Sequence, residues 1–434
     1  MLQAAAAQVE ITPPLGTELC GYSTRPGPAA GVHDPLFARA LVLDDGITRA
    51  GLVTSDLIGF DHALVEGIRA GVEQRGALPS AHLMLTATHT HAGPMISCLS
   101  RMGETDPRYL ADLQERIVAA VCQAAASLVP ARVGYALGQV AIGINRRQPG
   151  AAGISLGRNE AGPIDTDLAV LGVAREDGTP LALLLHHACH GTTLGGDNVL
   201  ISADWPGRAV QMVAEAVPGA VVMLANGCCG DINPDPREQM EYVDRHGTTV
   251  GRAALALLAD LKYQEAPVRV QSVPVIIPLQ PLPPPEQVQA TYQECVQRLR
   301  QAEGGDDPGA KRNARGSYQW AADLLRHALA GSEPEPPYSE VQALGLGKIG
   351  LVGLPGEPFV ELGKHLKAVS PFPHTLVVGY ANAMIGYLPT AAAFAEGGYE
   401  VEGAARWYGV CPLSPTTQSL IEEAALQALR AVAK

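Results

Sequence analysis

Short apolar runs broken by Asp-Gly turns, alternating with stretches of helical period, set the pattern of the chain. Residues 37–43 and 51–55 read as strands joined across Asp44-Asp45-Gly46, a turn signal that predicts a hairpin. Residues 63–74 carry a helical pattern, 83–88 form a continuous apolar run, and 107–127 place Leu110, Leu113, Ile117, Val118 and Val121 on one helical face. Strands resume over 132–144, and 167–174 with 180–185 flank Glu176-Asp177-Gly178 as a second hairpin. Pro206 sits where a first helical turn tolerates proline; 220–225 is a short buried strand ending in a glycine-cysteine loop. A long helix is expected over 237–261 and a strand over 268–277. Proline-rich 281–285 then opens two helical stretches, 286–302 and 310–330, around a Gly/Asp-rich loop. Residues 280–337 therefore read as a helical-hairpin insertion. Strand patterns return at 341–346 and 348–354, and a helix from Pro415 closes the chain. Hairpins mixed with strand-helix units predict an α/β fold, a mixed β-sheet core flanked by helices, in one domain over 1–434.

Composition narrows the function. The 434 residues are 47% hydrophobic but only 17% charged, which supplies a core and excludes a disordered chain. A net charge of -13 without any basic run argues against nucleic acid as a partner. The amino terminus has no positive region followed by an apolar core, and no apolar run reaches the roughly 18 residues of a membrane span. A cytoplasmic protein without a membrane anchor is expected, with homo-oligomerisation left open. The eight cysteines show no C-x-x-C pair and read as reduced thiols.

Histidine is where chemistry concentrates. His89-Thr90-His91 closes the apolar run from Leu83, and His186-His187 with His190 closes the one from Leu181. A neutral imidazole at a strand end has a rigid base and access to a cleft, as a catalytic Zn²⁺ site needs. A competing centre is Cys228-Cys229, where a thiolate activated by a histidine such as His246 would serve as nucleophile; packed thiols lining the pocket, or a soft ligand, are the bland alternative.

Several segments in order resemble one family. They are Ile11-Thr12-Pro13-Pro14, residues 34–40, His89-Thr90-His91-Ala92-Gly93-Pro94, Asn145-Arg146, His190 through Ser202-Ala203-Asp204, Gly230-Asp231-Ile232-Asn233-Pro234 and Pro355-Gly356-Glu357-Pro358-Phe359. Together they resemble the catalytic domain of the neutral ceramidases. The resemblance implies a zinc-dependent amidase acting on an N-acyl substrate, with His89, His190, Glu357 and Tyr387 as ligands. It implies His91 as proton shuttle or oxyanion holder, Tyr387 as a further oxyanion stabiliser, and Asp231 and Asn233 within the active-site block. Asn145-Arg146 would contact substrate, Arg146 through its guanidinium fork. Asp204 and Asp56 would orient histidines, and acidic groups around Asp34 and Asp231 would leave room for a second divalent ion.

The chain departs from the family pattern at Asn233, which replaces a serine, and is expected to function without the family's carboxy-terminal immunoglobulin-like domain and secretory signal. A small-molecule N-acyl substrate other than ceramide is therefore expected. A zinc esterase or lactonase on the same fold, and a cysteine hydrolase or acyltransferase using Cys228 or Cys229, are the alternatives.

Overall fold

Strands buried on both faces make a two-sheet core. The computed structural model describes residues 1–99 and 101–434. Its larger sheet has eight strands in the order Val221–Asn226, Pro180–His187, Asp167–Arg175, Val129–Gln139, Gln3–Glu10, Phe37–Asp44, Arg49–Ser55 and Leu83–Ala87. Pairing inside it is antiparallel, while each outermost strand runs parallel to its neighbour. The expected hairpins are both present, with Ala40 opposite Val53 and Leu184 opposite Leu171. A second sheet of four strands, Val268–Ile276, Tyr338–Leu346, Ile349–Gly353 and His374–Val378, lies against the first.

Side-chain alternation explains the stacking. Along one strand Leu41 and Leu43 face the second sheet, meeting a layer that includes Leu344, Leu346, Ile349 and Leu351. Ala40 and Val42 face the other way, with Ile68, Ile117 and Val121 of the helices His62–Gln74 and Pro107–Ala125. On the outer side of the smaller sheet, Val275, Val341 and Val352 pack with Leu362 and Leu366 of Val360–Val369 and with Ile421 and Leu429 of Thr417–Val432. Helices, two sheets and helices follow as four layers. This refines the expectation of one mixed sheet: strands buried on both faces read as continuous apolar runs and do not reveal which face meets a second sheet.

The helices Pro285–Glu303 and Pro308–Ala330 pack on each other through a short connection, as their sequence implied. Asp307 caps the second, accepting from the amides of Gly309 and Ala310. Among the described residues no helix is long and apolar enough to cross a membrane.

Candidate metal centre

Loops leaving the ends of parallel strands build the site. His89 lies two residues beyond Leu83–Ala87, in left-handed backbone with φ 62°, its amide donating to the Leu57 carbonyl. His190 lies three residues beyond Pro180–His187. The two loops touch through a bridge between Thr90 and Gly191, where a Cβ on Gly191 would stand 2.6 Å from the His89 carbonyl oxygen. Asn226 staples them: its amide nitrogen donates to the carbonyls of Thr88 and Cys189. Glu357 follows the strand Ile349–Gly353 and pairs in parallel register with Tyr387.

Three ring nitrogens and a carboxylate oxygen converge. Nε2 of His190 and of His89 lie 3.0 and 3.2 Å from Oε2 of Glu357. His91 Nε2 is 3.1 Å from His89 Nε2, and one ring nitrogen from each of the three histidines lies within 4.8 Å of the others. The tautomers of two rings are locked. His89 Nδ1 donates to the Ile58 carbonyl at 2.6 Å and His190 Nδ1 to that of Cys229 at 2.5 Å, which turns both Nε2 atoms toward the carboxylate. The tautomers come from these partners rather than from visible hydrogens. Ring nitrogens and a carboxylate oxygen gathered in a buried pocket are a donor set that a divalent cation fits, and His₂-carboxylate is a known catalytic zinc shell.

His91 differs from its neighbours. Its Nδ1 has no hydrogen-bond partner among the described residues and faces Gly21, where a Cβ would stand 2.3 Å away. The ring therefore stands beside His89 and His190 without a fixed tautomer.

Titration follows burial. Burial, reinforced by the charge of Arg146, pushes His190 down to about 4, and burial with the two other imidazoles holds His91 well below its usual value. For Glu357 burial acts upward, but His89 and His190 outweigh it and keep the carboxyl well below the usual carboxylate range. Burial thus works against the charged form of the His190 and His91 rings.

A match to known proteins fits this geometry. Residues 4–239 match the family model described as neutral/alkaline non-lysosomal ceramidase, N-terminal. The chain belongs to that family. It is 24% identical to a neutral ceramidase of Mycobacterium tuberculosis over 93% of this chain and 74% of the relative. It is 23% identical to that of Pseudomonas aeruginosa over 93% and 68%. The crystal structure of the Pseudomonas aeruginosa neutral ceramidase superposes with a TM-score of 0.72 at 22% identity, covering 99% of this chain and 75% of that one. A ceramidase complexed with C2 gives 0.73 at 21% identity, covering 100% and 75%. The matched segment contains His89, His91, Arg146 and His190, whereas Glu357 and Tyr387 lie beyond it.

Within this family frame several expectations change. Arg146 does not hold out a free fork. Its Nε donates to Glu400 at 2.8 Å, one terminal nitrogen to Asn233 Oδ1 at 3.2 Å and the other to the Tyr387 hydroxyl at 2.9 Å. The guanidinium thus orders Tyr387, and Glu400 pairs with both Arg146 and Arg147. Asn233 does reach the site edge, through Arg146. Asn145 does not: its amide is taken by Asp231, the Pro163 carbonyl and the Arg147 amide.

Asp231 is likewise structural, accepting from the Val360 amide at the start of a helix, although burial raises its carboxyl to about 7. Asp34 accepts from Ser202 and Ala203, so the two acids expected to hold a second ion are each committed to separate internal donors. Asp204 orders the loop after His190 by accepting from the amides of Thr193 and Leu194, and Asp56 pairs with Arg39; neither touches an imidazole.

Cys228 and Cys229 are buried, and burial raises both thiols. Cys228 packs among apolar residues, and Cys229 Sγ lies 3.0 Å from the Tyr380 hydroxyl, with no imidazole to activate it. His246 donates to or accepts nothing from them, its Nε2 being bonded to the Pro236 carbonyl. No motif in the sequence marks Tyr380, whose ring stacks on His89 at 3.9 Å, Glu400 or Tyr408, although the fold brings all three to this cluster.

Proposed function

We propose that the chain is a zinc-dependent amidohydrolase that cleaves the linear amide of a small N-acyl substrate other than ceramide. Family membership supports hydrolysis of an N-acyl amide. The convergence of His89, His190 and Glu357, with both imidazole tautomers locked by backbone carbonyls, carries the metal assignment. Those three residues would hold the ion, with the oxygen of Tyr387, the register partner of Glu357, as the fourth donor. When bound, zinc supplies Lewis acidity, polarising a carbonyl and making water acidic enough to react near neutral pH.

The chain's own groups do the remaining work. His91, with a free Nδ1 and no fixed tautomer, takes up a proton from the attacking water and returns it to the leaving nitrogen. Arg146 keeps the Tyr387 hydroxyl in place by donating to it, so that the phenol and guanidinium together offer positive potential to a developing oxyanion. Glu400 holds Arg146 from behind. Asn233, standing where ceramidases have serine, presents an amide to Arg146 in place of a hydroxyl, which supports a substrate that differs from ceramide.

Matched amide and ester probes of N-acyl amines and N-acyl amino acids, assayed before and after chelation, test this reading. Faster turnover of an amide, lost on chelation and restored by zinc, is expected. An ester preference would favour the esterase or lactonase reading. Activity that survives chelation but is lost on thiol alkylation would overturn the proposal in favour of Cys228 or Cys229.

A further inference from the structure

The carboxylate of Glu357 has two oxygens, and only one faces the histidines. Oε2 stands 3.0 Å from His190 Nε2 and 3.2 Å from His89 Nε2. The other, Oε1, accepts a hydrogen bond from the hydroxyl of Tyr408. Tyr408 ends the short helix Ala405–Tyr408, far in sequence from the histidines and outside the segment matched by the family model. We propose that Tyr408 is a positioning residue of the metal centre, holding Oε1 so that Glu357 presents Oε2 alone to the imidazoles. This rests on the reading of His89, His190 and Glu357 as ligands.

The terminal torsion of a glutamate is broad, so an unheld carboxylate samples orientations that bring either oxygen, or both, toward a neighbour. A hydrogen bond to one oxygen removes that freedom, and such partners of metal ligands tune affinity. The hydroxyl is delivered from a well-braced turn. The Tyr408 ring meets Tyr387 edge-on, with centroids 6.3 Å apart and planes at 86°. It stands beside Gly386, which takes the left-handed φ of 126°. Next to it, Trp407 is buried against Gly316 of the helix Pro308–Ala330, where a Cβ would stand 3.0 Å from the indole and 2.1 Å from the Arg101 carbonyl oxygen. Trp320 of the same helix donates its indole N–H to the Val410 carbonyl. The helix Pro308–Ala330 thereby braces the turn that carries the hydroxyl, giving it the rigid support a preorganised site requires.

Tyr408→Phe deletes only the hydroxyl, and Tyr109→Phe is its control. Tyr109 donates a buried hydrogen bond of the same kind to the Ile11 carbonyl at 2.6 Å, among core residues between sheet and helices. Zinc affinity is measured by chelator competition, together with thermal unfolding of the metal-free proteins. Tyr408→Phe is expected to bind zinc roughly 10- to 100-fold more weakly than wild type, with Tyr109→Phe unchanged in affinity. Wild-type affinity in Tyr408→Phe, or an equal loss in both variants, overturns the assignment. A wild-type chain that binds no zinc overturns instead the metal-centre reading on which it rests.

Discussion

The two histidine-rich strand ends look alike in sequence but spend their rings differently. In the first, both His89 and His91 turn into the centre. In the second, only His190 does: His186 Nε2 bonds the Val377 carbonyl and His187 Nδ1 that of Asp167. Position relative to the strand decides. His186 and His187 are still inside the strand Pro180–His187, where successive side chains go to opposite faces and both faces are covered. His89, His91 and His190 stand beyond the last ladder bond, in loops free to turn their rings to a common point. A histidine in the covered part of a strand must satisfy its nitrogens on the backbone; one just past its end is available to a cation.

Removing a ring or carboxylate at the common point should have the largest effect. His190→Ala and Glu357→Ala are expected to lose bound zinc, measured by elemental analysis after gel filtration, and to lower kcat/KM by about 10³-fold or more. Retention of stoichiometric zinc in His190→Ala would show that the second strand end contributes another ligand. His91→Ala sharpens the contrast within the first strand end. It should keep most of its zinc while kcat falls by roughly 10²- to 10⁴-fold, the range for loss of a proton-transfer group. Equal zinc loss in His91→Ala and His190→Ala would make His91 a ligand.

The fold was legible where local pattern settles it, and the site where a motif marks it. The two hairpins, the helical pair at 285–330 and the carboxy-terminal helix Thr417–Val432 follow from turn residues and periodicity. The stacking of two sheets did not, because Leu41 and Ala40 are both apolar and neither reveals its neighbour. Glu400 and Tyr408 stayed hidden for a different reason. Glu400 lies in a π-helical turn, Tyr399–Gly403, and Tyr408 in a one-turn helix, and each meets a partner more than fifty residues or far more away in the chain, as with Arg146, 254 residues distant, or Glu357, 51 distant. Asn226 is read from sequence only as the end of a buried strand, although it ties the two histidine loops together.

The second strand end offers the smaller effects. His187→Ala should leave zinc and kcat close to wild type and cost about 1–3 kcal/mol of stability in chemical denaturation, because a buried carbonyl loses its partner. Loss of zinc in that variant would break the distinction between ring positions.

Acid should act on buried rings of both kinds, since His190 and His91 are depressed as well. Burial pushes His186 down to about 4, in a setting shared with Asp165 and Lys367, and lowers His187 as well. A depressed histidine binds fewer protons folded than unfolded. Its contribution to metal-free stability is therefore full above the ordinary value near 6.5 and is lost as pH falls toward 4. Unfolding midpoints should drop across that window, and a flat profile would contradict the burial of these rings.

Metal stoichiometry and ligand type, read together by elemental analysis and X-ray absorption on the wild-type protein, test the central claim most directly. One zinc per chain, bound by two imidazoles with the remaining donors oxygen, is the predicted result. A metal-free protein with full hydrolase activity, or zinc bound through sulfur, would contradict it.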